Sequence, residues 1–167
     1  MTSTQNKKIT VDIRESLDAV VYYFNGEIDS EFDTLKMTPV RKKIIIFDLE
    51  HIININSLGI KQWISFVKKF SGIGELIFRK CSIPVIDQLN MIPSVIGAGK
   101  IESFFAPYFC DCSGEIAICI SFEEYRDTLA RGDIPEFKCK HCGGALTFDD
   151  IGESYFKFAK DMLNNAG

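Results

Sequence analysis

The stretch KIIIFDL at residues 43–49 contains four consecutive large apolar residues and predicts a central β-strand. An apolar run of this length is typical of a strand that is buried on both faces of an α/β sheet. Apolar residues at positions 60, 63, 64, 67 and 70 then follow at helical spacing. A strand followed by an amphipathic helix indicates a sheet with helices packed on it.

The segments on either side of this stretch extend the same pattern. Asn25-Gly26 is expected to end the second strand, Pro39 the first helix and Pro107 the last strand, while Ser82 can cap the last helix. Two strands followed by alternating strands and helices predict an α/β fold with a mixed sheet. The predicted elements are strands at residues 9–13, 19–24, 75–78 and 101–105 and helices at residues 29–37, 60–70 and 84–90.

Four of the six cysteines form two close pairs in the last third of the chain. Cys110 and Cys112 make the first pair, and Cys139 and Cys142 make the second, which Gly143-Gly144 follows. Short cysteine pairs of this kind supply the four thiolates of a tetrahedral zinc site. Because all four candidate ligands are cysteines, no position is left for water, and the zinc is expected to be structural rather than catalytic.

The residues leave three other interpretations of these cysteines open. Cys139 and Cys142 could form a redox pair, His141 could replace one cysteine as a ligand, or the four thiols could be free of metal. The other two cysteines, Cys81 and Cys119, lie in or beside predicted strands and are expected in or near the core. Residues 123–137 are polar and charged and are expected to form an exposed loop, and the aromatic tail around residues 155–158 to pack the cysteine module onto its neighbour.

Composition and charge exclude several classes of function. The chain carries a net charge of −4, and residues 110–167 have 6 basic against 11 acidic residues, which disfavours binding to nucleic acid. The polar N-terminus lacks the apolar segment of a signal peptide, and no stretch is long and apolar enough for a membrane span, so a cytoplasmic protein without membrane contact is expected. With His51 and His141 as the only histidines and no catalytic constellation in the sequence, an enzyme is not expected.

The order of elements resembles the STAS domain, the fold of anti-sigma factor antagonists and of the tails of sulfate transporters. The matching segments are residues 26–29, 47–49, 55–59 and 85–89, and the resemblance covers about residues 7–106. It implies a STAS-like mixed sheet packed by helices. The last third of the chain is then interpreted as a small zinc-ribbon-like β module attached to that domain.

Ser57 occupies the position of the family's switch serine, while Asn56 stands where the family has an aspartate. The resemblance implies that an anti-sigma kinase phosphorylates this serine and that the phosphate controls binding between the two proteins. A phosphate at the start of a helix would also be favoured by the helix dipole. The residues alone leave open that Ser57 is only a helix N-cap.

The sequence therefore predicts two domains, a STAS-like domain at residues 1–108 and a zinc-ribbon-like module at residues 109–167. The predicted function is a non-enzymatic regulatory module that binds a signalling protein, with a surface formed by Asn56, Leu58, Gly59 and Lys61 around the switch serine. Two alternatives are a zinc-ribbon adaptor that contacts nucleic acid or the transcription machinery, and a sensor of a small ligand or nucleotide. The oligomeric state stays open.

Overall fold

A five-stranded mixed sheet forms the first part of the fold in the computed structural model, which describes residues 8–32 and 37–166. Its strands follow one another in space as they do in the chain; β1 is antiparallel to β2, and the other neighbours are parallel. The α/β prediction with a mixed sheet packed by helices is confirmed. The strands are β1 Thr10–Glu15, β2 Ala19–Ile28, β3 Ile44–Ile55, β4 Glu75–Arg79 and β5 Lys100–Ile101.

The two central strands are longer than the sequence predicted. The prediction that Asn25-Gly26 ends β2 is wrong, because parallel pairing with β3 continues from Gly26 opposite Ile52 to Ile28 opposite Ile55. The register shifts between these pairs, and Gly26 has a φ of 126°, so the glycine allows the strand to bend without leaving the sheet. The longer pairing with β2 keeps β3 in the sheet as far as Ile55, the residue before Asn56.

Helices α1 (Ser57–Lys68) and α2 (Ile83–Met91) pack on the sheet, and a short 3₁₀ helix at Pro93–Ile96 follows α2. Trp63 lies at the centre of the aromatic core, 5.2 Å from the ring of Phe24 and 5.8 Å from that of Phe47. Its indole N–H donates to the carbonyl of Val95 at 2.9 Å, which satisfies the buried donor. The helical stripe predicted for α1 therefore faces the sheet.

A second, three-stranded antiparallel sheet follows, with the order β7-β6-β8. Its strands are β6 Ser103–Cys110, β7 Gly114–Ser121 and β8 Thr147–Phe148, and a bridge between Cys81 and Phe104 links it to the end of β4. The prediction that Pro107 ends its strand is wrong. The Phe122 N–H donates to the carbonyl of Glu102, so in this register the even-numbered residues of β6 bond to β7, and the proline ring replaces an N–H that points away from β7.

The boundary predicted between residues 108 and 109 lies inside β6, and the division into two domains stays a prediction. The predicted loop at residues 123–137 instead contains helix α3 (Arg126–Arg131), because Leu129 packs fully buried against the core. Gly132 ends that helix in the left-handed conformation, with a φ of 77°.

The C-terminal tail forms α4 (Gly152–Tyr155) and α5 (Lys157–Asn165). Phe158 packs on Phe104 with ring centroids 5.0 Å apart, and the side chain of Asn90 bonds the backbone at Tyr155 and Phe158. The aromatic tail thus joins the second sheet to α2, as predicted.

The helix predicted at residues 29–37 lies partly outside the described residues. None of the helices within residues 8–32 and 37–166 is both long enough and apolar enough to cross a membrane.

Candidate metal centre and interaction surface

The first cysteine pair lies at the tip of the hairpin that connects β6 to β7. Cys110 is the last residue of β6 and pairs with Gly114, the first residue of β7. The N–H of Ser113 donates to the Cys110 carbonyl at 3.2 Å, and Gly114 takes a φ of 71°, so the chain reverses within the residues around Cys112. This tight reversal brings both thiols of the pair to the same end of the sheet.

The second pair lies at the tip of a smaller hairpin, residues 137–146. The N–H of Cys139 donates to the carbonyl of Gly144 at 2.8 Å, and the N–H of Gly143 donates back to the carbonyl of Cys139 at 2.9 Å. Gly143 has a φ of 73°, a conformation in which glycine carries no steric penalty. Gly143 is therefore explained by the turn that presents Cys142.

The four sulfur atoms of the two hairpin tips lie within 4.8 Å of one another. The Sγ of Cys110 is 3.4 Å from that of Cys112 and 3.5 Å from that of Cys142, and the Sγ atoms of Cys112 and Cys139 are also 3.5 Å apart. Sulfurs held about 2.3 Å from a tetrahedral zinc ion are separated by roughly 3.8 Å, close to these distances. The donor set and its spacing therefore fit a Cys₄ zinc site, and the four cysteines predicted from the sequence are brought together.

Local hydrogen bonds already favour a thiolate at one of these positions. The backbone N–H groups of Cys142 and His141 lower the pKa of the Cys139 thiol to about 5. At Cys110 the backbone N–H of Cys112 also lowers the pKa, but the crowded thiols of Cys112, Cys142 and Cys139, together with burial, raise it to about 12. Four crowded sulfurs without a cation cannot all ionise, whereas a bound cation stabilises every thiolate.

The predictions for His141, Cys81 and Cys119 have different outcomes in the structure. The described group of close ligands contains the four cysteines and not His141, which is exposed. Cys81 is fully buried, as predicted, and burial raises the pKa of its thiol well above the usual range. The prediction for Cys119 is wrong: it is exposed, because alternation along β7 turns Ile118 and Ile120 to the core and Cys119 to the other face.

Asn56, rather than Ser57, caps the N-terminus of α1. Its side-chain oxygen accepts from the N–H groups of Leu58 at 3.1 Å and Gly59 at 2.8 Å. Ser57 is the first residue of the helix and is exposed, so the interpretation of Ser57 as the cap is wrong. Its hydroxyl is left available at the surface.

The predicted surface around Ser57 divides into exposed and buried residues. Leu58 is 60% exposed and Lys61 is also exposed. Gly59 is buried, and a Cβ atom there would lie 2.0 Å from the carbonyl oxygen of Ile28, so this glycine allows the helix to approach the end of β2. Sequence reasoning missed Ile53, which is 52% exposed near the end of β3.

Sequence reasoning also missed a buried charged cluster on the face of the sheet opposite Trp63. Asp48, only 4% exposed, accepts from the Arg79 guanidinium at 2.7 Å, and Arg79 also donates to the Tyr23 hydroxyl at 3.1 Å. The sequence feature that could have revealed this cluster is Asp48, the single aspartate within the apolar stretch at residues 43–49. Because each charge has a close partner, the cluster satisfies the requirement for a buried ion pair.

Two comparisons with known proteins leave the family of this chain undefined. The chain matches no protein-family model, and no curated protein matches it.

Proposed function

We propose that this chain is a non-enzymatic regulatory module that binds another protein through the first turn of α1. The observation that carries the proposal is the exposed hydroxyl of Ser57 beside the exposed side chain of Leu58. An exposed apolar side chain next to a modifiable hydroxyl suits a protein contact that a charge can switch. The resemblance of this region to the STAS switch supports the same function.

The end of β3, directly before the helix, is also exposed. Ile53 adds a second large exposed apolar side chain, and His51 and Asn54 are exposed on the same strand. Apolar residues among polar ones are typical of the centre and rim of a protein interface. The partner proposed from the STAS resemblance is an anti-sigma factor with kinase activity, or a related signalling protein, in the cytoplasm.

Phosphorylation of Ser57 would act mainly through charge. The N–H groups of Leu58 and Gly59 already donate to Asn56, so a phosphate does not find these donors free. The helix dipole still favours a negative group at this position. The added charge would stand beside the apolar Leu58 and weaken a contact that depends on burying that side chain.

The proposed role of zinc is to hold the two hairpin tips together. Few side chains around the second cysteine pair are buried: Lys138, Lys140 and residues 141–145 are all exposed. A segment with so little apolar burial needs another source of stability, and a Cys₄ zinc site supplies it.

Affinity capture with three forms of the chain tests the proposed switch. Wild type and Ser57→Ala are expected to retain the same partner, and Ser57→Asp to lose most of it, as measured by quantitative mass spectrometry. Ser71→Asp is the matched control, because Ser71 is also exposed but follows the end of α1. Equal recovery of every partner with Ser57→Asp and Ser71→Asp would remove the switch from the proposal.

Metal analysis tests the cysteine centre independently. Protein purified without oxygen is expected to hold about one zinc ion per chain, and Cys139→Ser to hold much less. Cys119→Ser is the control, since that cysteine is exposed and outside the group of four. A wild-type chain with four reduced thiols and no bound zinc after incubation with the metal would contradict the zinc site.

A further inference from the structure

Strand β7 has a free edge. It is the outer strand of the second sheet, where it pairs with β6 alone over all eight of its residues. Its sequence, GEIAICIS, contains no proline, and its register with β6 has no bulge. Natural proteins usually protect such an edge by charges, prolines or bulges, because it offers unpaired backbone groups to another strand.

The hydrogen-bond register identifies which backbone groups are free. The Phe122 N–H donates to the Glu102 carbonyl, and bonded pairs alternate in an antiparallel ladder, so the even-numbered residues of β7 bond to β6. The backbone groups of Glu115, Ala117 and Cys119 therefore point outward. Among the described residues, none of these three residues has a backbone hydrogen bond outside the sheet.

A groove of about 570 Å³ runs along this edge, between β7 and the second cysteine hairpin. The apolar part of its lining includes Ile116, Ile118 and Phe137, which an extended segment would cover. The charged side chains of the lining are Lys138 and Lys140, and the acidic residue on the same edge is Glu115, at the end near Cys110. Of the charged groups that act on Cys119, Lys80 pairs with Glu50 at 2.8 Å and Asp48 pairs with Arg79 at 2.7 Å.

We propose that this groove binds an extended acidic peptide segment of a partner protein, which adds a strand to the edge of β7. The backbone of the segment would exchange hydrogen bonds with Ala117 and its two odd-numbered neighbours, which is the strand-addition mode of recognition. Its carboxylates would face Lys138 and Lys140. The two lysines stand out because residues 110–167 carry 6 basic and 11 acidic residues, so few groups in this region can pair with carboxylates.

A labelled peptide of alternating glutamate and valine, as long as β7, tests the proposal against the zinc-loaded full chain. Fluorescence anisotropy is expected to show saturable binding that weakens with salt. The matched lysine–valine peptide, and the glutamate–valine peptide with N-methyl groups on alternate amides, are expected to bind at least about tenfold more weakly.

Three variants locate the binding on the protein. Ala117→Pro removes one outward N–H without removing a bond to β6, much as Pro107 is accommodated in the paired position, and Ala117→Val keeps that N–H. We expect about a tenfold loss of affinity for the proline variant and little change for the valine variant. The charge reversal Lys138→Glu with Lys140→Glu gives a second measurement if the proline disturbs folding, because neither lysine is buried.

Three results would each overturn the proposal: absence of binding, equal binding of the acidic and basic peptides, and full binding by the charge-reversed variant. Concentration-dependent dimers that Ala117→Pro abolishes would assign the edge to a second copy of the chain instead. Ser57→Asp should bind the peptide as wild type does. A failure of peptide binding is therefore distinguishable from a failure of the Ser57 switch.

Discussion

The parallel sheet and the cysteine hairpins are held together by different forces. Around Trp63 the side chains of Phe24, Phe47 and Phe78 are at most 1% exposed. Around the cysteines only Cys110 and Cys139 are buried, and the residues between and after the second pair are exposed. The sheet therefore gains its stability from apolar burial, whereas the hairpin tips bury little and bring together four sulfurs that could hold a metal ion.

Replacing the central aromatic residue of the sheet should have the largest effect on stability. Trp63→Ala removes a fully packed ring and the hydrogen bond to Val95, so we expect the free energy of unfolding to fall by about 3–5 kcal/mol. Urea unfolding followed by far-ultraviolet circular dichroism measures the change. Leu17→Ala is the control, because Leu17 is 90% exposed and its removal should change stability little. Similar losses of unfolding free energy for the two variants would mean that burial of Trp63 is not what stabilises the sheet.

Gly59→Ala tests a smaller contact within the same region. The added methyl group would meet the Ile28 carbonyl, so α1 must move away from the end of β2, at a cost of about 1–3 kcal/mol. Thermal unfolding compared with Ser57→Ala provides the measurement, because Ser57 is exposed two residues earlier in the same turn. If the two variants unfold at the same temperature, the close approach of helix and strand is not needed for stability.

The sequence predicted the sheet region well because its periodicity reflects burial directly. The stretch at residues 43–49 and the helical stripe of α1 are apolar because both pack in the same core. The errors arose where tertiary pairing overrides a local signal. Asn25-Gly26 and Pro107 are residue types that usually form turns. Here each lies at a strand position that can accept a bend or a missing N–H group. Only the register with the neighbouring strand reveals this.

The cysteine centre was predictable for another reason. Ligand identity and short spacing are written in the sequence, so Cys139 and Cys142 were found without knowledge of any contact. The free edge of β7 was not predictable, because it depends on which strand ends the sheet. The N-cap was assigned wrongly for a similar reason. Asparagine and serine are both good N-caps, and only the backbone conformation shows that Asn56 is the residue that caps α1.

Loss of the Asn56 cap should have a moderate effect. Asn56→Ala leaves the N–H groups of Leu58 and Gly59 without their acceptor, and we expect a loss of about 1 kcal/mol in the free energy of unfolding. Asn54→Ala, at an exposed position on β3, is the matched control. If Ser57 took over as the cap, Asn56→Ala would be as stable as this control, and the hydroxyl proposed as the switch would no longer be free.

Removal of the proposed zinc ion should have the smallest effect on the sheet and the sharpest effect on the hairpin tips. A chelator is expected to speed amide hydrogen exchange at residues 138–145, which have little burial, and to leave exchange in α1 nearly unchanged. The physical reason is that the core around Trp63 contains none of the four ligands. Hydrogen exchange resolved by NMR separates the two regions within one sample.

The chelation result is informative only if the exchange is compared residue by residue. Cys119→Ser should respond to the chelator as wild type does, because its exposed thiol lies outside the cluster, whereas Cys142→Ser should show fast exchange at the tips before any chelator is added. If chelation also released the protected amides of α1, the two regions would unfold as one unit. The bridge between Cys81 and Phe104 and the packing of Phe158 on Phe104 would then transmit stability from the metal centre to the sheet.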